Sequence, residues 1–365
     1  MLESFDATGV HTQEEIHSQP RCWAECLNRL KANEQVEKIV RETSLEKPWL
    51  FIGCGSSYYL ALAAAASWTA LTGAPARAVP ASELLLFPHL TLARASAFQP
   101  VLISRSGHTS EILKVGEHLS SKHVPIVAVT CAPGQPLERM AAGVLCLSPA
   151  DEKSMVMTRS FTSMLLGIQF LAAKFARNAA AISSLERLPG VAQRALDAMD
   201  PLMQSLVAGR DFADYVCLGQ GPFYGLACEA ALKVQEMSCS YSQAFHTMEF
   251  RHGPKAIVAP ETLIVFLLSR SGFEAEREVV EEVKGLGGTT LVVTSDADER
   301  IRRAADWLIE LHLDGDETSG LAAHSLPGQL LGLSTGLKKG LNPDQPRHLS
   351  RVVTLADDFD PHETL

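Results

Sequence analysis

Short apolar runs rich in β-branched residues alternate along the chain with longer stretches patterned at helical spacing, the arrangement of βαβ units around a parallel sheet. The first half predicts strands at 49–55 (WLFIGCG), 76–81, 100–107, 125–131 and 143–149. The second predicts them at 215–221, 262–272, 288–296 and 307–313. Several of these runs repeat. Gly53 of FIGCG matches Gly219 of CLGQG, Ser104 of SRSG matches Ser269 of a second SRSG, and Thr130 matches Thr294, at offsets of 166, 165 and 164 residues. So steady an offset over three strands is the mark of an internal duplication. The chain is therefore expected to hold two doubly wound α/β domains in tandem, at 46–185 and 210–340. A helical segment (1–45) precedes them and a tail (341–365) follows. Leu60 to Trp68 (LALAAAASW) is too short to span a bilayer and reads as a buried helix.

Composition narrows the class. With 46% hydrophobic and 20% charged residues the 365-residue chain has the make-up of a soluble globular protein. A net charge of −10 without any Lys/Arg cluster argues against nucleic acid as a partner. Eight cysteines (22, 26, 54, 131, 146, 217, 228 and 239) form no CxxC pair and no zinc-ligand spacing, so they read as buried thiols in a reducing compartment. The first residues lack an apolar signal core. The expectation is a cytoplasmic protein without a membrane or metal partner.

In doubly wound sheets ligands bind beyond the C-terminal ends of the strands, which directs attention to two loops. Ser104-Arg105-Ser106-Gly107-His108-Thr109 follows an apolar strand and opens a helix, and Gly55-Ser56-Ser57 does the same after the first strand. Hydroxyls and free N–H groups at a helix N-terminus suit an anion, although Ser and Thr there also serve as plain helix caps. The second repeat has Pro222-Phe223 and Phe273-Glu274 at the matching places, which implies one phosphate site per chain. It carries instead Glu229, Lys233 and Glu236 at helical spacing, followed by Glu249-Phe250-Arg251-His252-Gly253-Pro254. By spacing alone, Glu229 and Lys233 read as an i,i+4 ion pair on a solvated face, the commoner case in any helix.

FIGCGSS, ISRSGHTSE, VMTRSFTS, LACEAALKVQEMS, MEFRHGP and NPDQPRHLSRVVT, with TQEEIHSQP near the start, cover nearly the whole chain. In order and spacing they resemble the sugar-isomerase (SIS) superfamily, and in particular the isomerase half of glucosamine-6-phosphate synthase and its stand-alone deaminase/isomerase and deglycase relatives. The resemblance implies tandem SIS domains of the flavodoxin-like or Rossmann-like kind. It implies a phosphorylated sugar held by Ser56, Ser57, Ser104, Arg105, Ser106 and Thr109. Arg105, which stands where the synthase has an uncharged amide, is expected to add a charged contact to the phosphate. Glu236 matches the base that moves a proton between C1 and C2, and His252 the ring-opening histidine that reaches a neighbouring subunit, which implies a homodimer.

Two departures matter. The synthase forms a Schiff base through a tail lysine where this chain has Arg351, and arginine stays protonated. The chain also has no length for a glutaminase domain. The expected reaction therefore runs the other way, releasing ammonia from an amino-sugar 6-phosphate without a cofactor; GCGSS is not the dinucleotide fingerprint GxGxxG. Alternatives are a fructosamine-6-phosphate deglycase, a plain aldose/ketose-phosphate isomerase, and a non-catalytic sugar-phosphate sensor.

Overall fold

The computed structural model describes residues 8–91 and 97–355, so the ends of the expected N-terminal segment and C-terminal tail lie outside the described residues. Among these residues ten strands form two sheets. β1 (Trp49–Gly53), β2 (Ala76–Pro80), β3 (Gln99–Ile103), β4 (Val127–Thr130) and β5 (Gly143–Cys146) make the first, in the order 2-1-3-4-5. β6 (Asp214–Gly219), β7 (Tyr241–His246), β8 (Thr262–Leu267), β9 (Thr289–Thr294) and β10 (Trp307–Glu310) make the second, in the order 7-6-8-9-10. Every pairing is parallel. The second order is the first shifted by five strands, so the duplication read from the sequence extends to topology.

Burial explains which strands the pattern reveals. β1, β3, β8 and β9 are buried at every position, as parallel strands covered by helices on both faces must be, and they read as unbroken apolar runs. β7 was not predicted. Its sequence YSQAFH lies on a sheet edge, begins with an exposed Tyr241 and includes Ser242 and Gln243, so it lacks the apolar signature of its counterpart β2. The predicted run 262–272 stops being a strand at Leu267. Cysteine burial also differs from expectation: Cys239 is exposed, and Cys54 and Cys146 are half-buried.

Each sheet's first strand ends on a glycine for the same reason. A Cβ on Gly53 would lie 2.3 Å from the Ser57 carbonyl oxygen, and one on Gly219 would lie 2.4 Å from that of Phe223. The following helices, Ser56–Thr72 and Phe223–Ser238, fold back directly over these strand ends. The two helices are repeat counterparts and pack against each other. They cross so closely at Gly225 that a Cβ there would sit 2.6 Å from the Tyr59 carbonyl oxygen.

The largest apolar cluster runs continuously through both repeats, with smaller ones on the outer face of each sheet. Within it Trp49 stacks on Trp68 at 3.9 Å between ring centroids. A 31-residue helix, Ala179–Gly209, with Pro189 and Pro201 inside it, joins the repeats. The N-terminal helices are tied in by polar bonds. Gln19 accepts from Thr162 Oγ1 (2.6 Å) and donates to Gln329 (2.7 Å), and buried Glu15 accepts from the Lys153 and Ser154 amides. This accounts for TQEEIHSQP, whose acid holds the amides of residues 153 and 154 and whose amide bridges Thr162 in the first repeat to Gln329 in the second. Among the described residues no helix is long and apolar enough to cross a membrane.

Candidate active site

The C-terminal ends of β1 and β3 open onto a cavity of about 220 Å³ lined by Ser56, Ser57, Arg105, Ser106, Thr109, Glu236 and the tail residues Leu349–Val353. Five of the six residues expected to hold phosphate therefore line one space with the expected base. The sixth, Ser104, is buried beneath the loop and fixes its hydroxyls. Its Oγ lies 2.9 Å from Thr109 Oγ1 and 3.5 Å from Ser106 Oγ, and it accepts from the Gly107 amide at 3.2 Å. Thr109 precedes the helix Ser110–Ser121, whose first N–H groups face this end of the loop, a favourable setting for an anion.

The matching loop of the second repeat is occupied by the protein's own carboxylates. Glu276 accepts from the Ser269 amide (2.8 Å) and hydroxyl (2.7 Å), and burial pushes it up to about 7. Glu317 accepts from the Arg270 amide and, at 2.7 Å, from the Ser271 hydroxyl. The first-repeat counterparts, each 165 residues earlier, are Glu111 and Glu152. Glu152 is drawn away from the loop. It caps the helix Arg159–Phe175 through the amides of Thr158 (2.6 Å) and Ser160 (3.0 Å), and Ser106 and Thr109 stay open to the cavity.

Glu229 and Lys233 are not on a solvated face. Lys233 is wholly buried where the two repeat-related helices cross, with Glu229 at 3.2 Å, Ser56 Oγ at 3.2 Å and Glu236 in a short ion pair. The first helix covers the surface that the spacing alone left open. Burial raises Glu229 to about 7 against the pull of Lys233, while burial alone would lower Lys233 and its two carboxylate neighbours outweigh that effect, holding it above its ordinary value. The ammonium thus has both carboxylates as partners, and its ion pair with Glu236 holds that side chain at the cavity wall.

A family model described as the SIS domain matches residues 46–174 and 215–331, the two sheets in turn. The chain belongs to the SIS-domain family. It is 28% identical, over 93% of its length, to the glutamine–fructose-6-phosphate aminotransferase (isomerizing) of Methanothermobacter thermautotrophicus, of which it spans 57%. Among solved structures it is similar to glucosamine-6-phosphate deaminase from Thermotoga maritima, with a TM-score of 0.78 and 28% identity over 94% of this chain and 100% of that one. Tagatose-6-phosphate ketose/aldose isomerase from Escherichia coli shares the fold at a TM-score of 0.80 and 23% identity, over 93% and 96% of the two chains.

Other site residues of this SIS protein are placed as follows. Arg351 lines the cavity and pairs with Asp151 at 2.5 Å. The Arg105 guanidinium turns to Glu152 and to backbone carbonyls. His252 is exposed, on the turn after β7, and is not among the residues lining the cavity. Sequence reasoning missed Glu111, Met155 and Met157, which line the cavity, and Glu152 behind it. Extending the 165-residue offset to Glu276 and Glu317 would have drawn attention to both acids.

The elevation of Glu229 has a measurable consequence. Between about pH 4.5 and 7 the folded chain keeps a proton on Glu229 that the unfolded chain has released. This group's contribution to stability is therefore complete below pH 4.5 and falls as pH rises through the window, by up to about 1.4 kcal/mol per unit. Glu229→Gln is expected to remove about one proton's worth of that slope, read from urea denaturation at pH 5, 6 and 7; an unchanged slope would show that Glu229 is ionised throughout.

Proposed function

We propose that this SIS protein is a sugar-phosphate isomerase-type enzyme acting on an amino-sugar 6-phosphate, and that it releases ammonia to form the ketose 6-phosphate. The observation that carries the reading is one cavity in which the open hydroxyl loops of the first repeat face a carboxylate, Glu236, from the second. The loops anchor the phosphate and so set the distance to the far end of the open-chain sugar. Glu236 takes the C2 proton, O1 is protonated, and the 1,2-enolamine forms. Return of a proton to C1 gives the 2-imine of the ketose, water adds at C2, and ammonia leaves. The imine nitrogen is the substrate's own, so Arg351 has no Schiff base to form. It serves instead to hold the tail against Asp151. The likeness to the Thermotoga maritima deaminase supports this direction, and the same C1–C2 proton transfer serves a deglycase or a plain aldose/ketose isomerase.

The enzyme is a homodimer in this reading. His252, exposed and outside the lining of its own chain's cavity, serves as the ring-opening group in the cavity of a second copy.

Ammonia release over a panel of 2-amino-sugar 6-phosphates, fructosamine 6-phosphates and amine-free sugar phosphates identifies the substrate class. Ser106→Ala with Thr109→Ala should weaken binding of the active compound by about 3 kcal/mol or more, at least ~100-fold, through loss of two charge-assisted hydrogen bonds. Unchanged affinity contradicts the phosphate placement. Co-expressed Glu236→Gln and His252→Ala chains, each inactive alone, should regain up to about a quarter of wild-type activity, because about half of the dimers are mixed and each mixed dimer carries one intact site of two. No recovery would mean that His252 is not shared.

A further inference from the structure

Arg105 lies within the hydroxyl loop, yet its side chain leaves it. The backbone stays with the sheet: its carbonyl accepts from the Cys131 amide at 3.0 Å and from Thr130 Oγ1 at 3.2 Å. The guanidinium is buried, and its terminal nitrogens donate outward. Nη1 reaches Glu152 Oε2 (3.2 Å) and the Val156 carbonyl (3.2 Å), and Nη2 reaches the carbonyls of Met155 (3.0 Å) and Arg351 (3.4 Å). Each terminal nitrogen carries two N–H groups, so these four bonds use all four. The charge is matched by Glu152, which is itself buried and held by Thr158 and Ser160. A phosphate could take a terminal N–H only by breaking one of these bonds.

What the fork joins is informative. Met155 and Arg351 both line the cavity, one from the 151–157 segment and one from the tail that covers it. The tail is fastened at two further points, Arg351 to Asp151 and the Val353 carbonyl to the Ser110 amide at 3.5 Å. Of these fastenings, Arg105 is the one that begins inside the hydroxyl loop.

We propose that Arg105 is a positioning residue: it clasps the 349–353 tail and the 151–157 segment to the hydroxyl loop, closing the cavity around the sugar, and it is not a phosphate ligand. Its part in substrate binding rests on the reading of the cavity given above; the clasp itself does not. An uncharged amide at this position has neither the reach nor the charge to make the same four bonds beside Glu152. Lysine keeps the charge but is a single point donor that cannot span two carbonyl-bearing segments at once.

The test is hydrogen exchange followed by mass spectrometry on the full chain without ligand, comparing peptides from the tail with peptides covering β3 and the helix after it. Arg105→Lys keeps a cation beside Glu152 and should raise tail exchange about tenfold or more while the β3 peptides stay protected. Asp151→Asn, which loosens an exposed anchor and leaves the buried pair intact, should raise tail exchange as well. In turnover assays Arg105→Lys should raise KM for the sugar phosphate about tenfold with a smaller change in kcat. Affinity for inorganic phosphate, which needs no closed tail, should change less than about twofold. Wild-type tail exchange in Arg105→Lys, with opening only in Asp151→Asn, would overturn the clasp. A fall in inorganic phosphate affinity matching that of the sugar phosphate would make Arg105 a direct phosphate ligand and overturn it too. Because the exchange measurement involves no substrate, its outcome is independent of whether the proposed reaction is correct.

Discussion

A fully buried ammonium must be paired, and Lys233 has its partners on two helices from different repeats. Glu229 and Glu236 come from its own helix and Ser56 from the helix of the first repeat. Leaving such a charge without a partner costs several kcal/mol, so the crossing of these helices is held to the geometry that satisfies it. That crossing in turn decides where Glu236 stands. The helix of the first repeat begins at Ser56, in the loop that lines the cavity, so the interaction joining the repeats also brings the carboxylate to the hydroxyls. Gly225 permits the approach, since any side chain there would strike the Tyr59 backbone.

Duplication followed by division of labour accounts for the remaining asymmetry. Both repeats keep SRSG after their third strand in the sheet, and both keep acids at the same offsets. In the second repeat Glu276 and Glu317 fill the loop, while in the first Glu152 turns to Arg105 and a helix cap and the hydroxyls stay open. At the positions of Glu229, Lys233 and Glu236 the first repeat has Ala63, Ser67 and Ala70. One half offers the anion loops and the other the ionisable groups, and neither cavity wall would be complete without its counterpart.

The interior strands were legible because burial on both faces leaves an unbroken apolar run, and the hydroxyl loops because strand, glycine and serine follow one another locally. β7 was hidden by its edge position and polar residues. The fate of Lys233 was not legible from spacing, since whether a helix face is covered depends on a helix about 170 residues away in the chain. The partners of Arg105 were not legible for the same reason: they lie 47 to 246 residues further on, and a side chain's nearest neighbours in sequence do not show where its charge is balanced.

The central claim is that Glu236 moves the proton between C2 and C1. Glu236→Gln keeps the size and a hydrogen-bonding group at the cavity wall but removes the base. With a C2-deuterated amino-sugar 6-phosphate, exchange of the label into water and ammonia release should both fall by about 10²–10⁴-fold while the substrate still binds. Label loss at the wild-type rate in Glu236→Gln would contradict it.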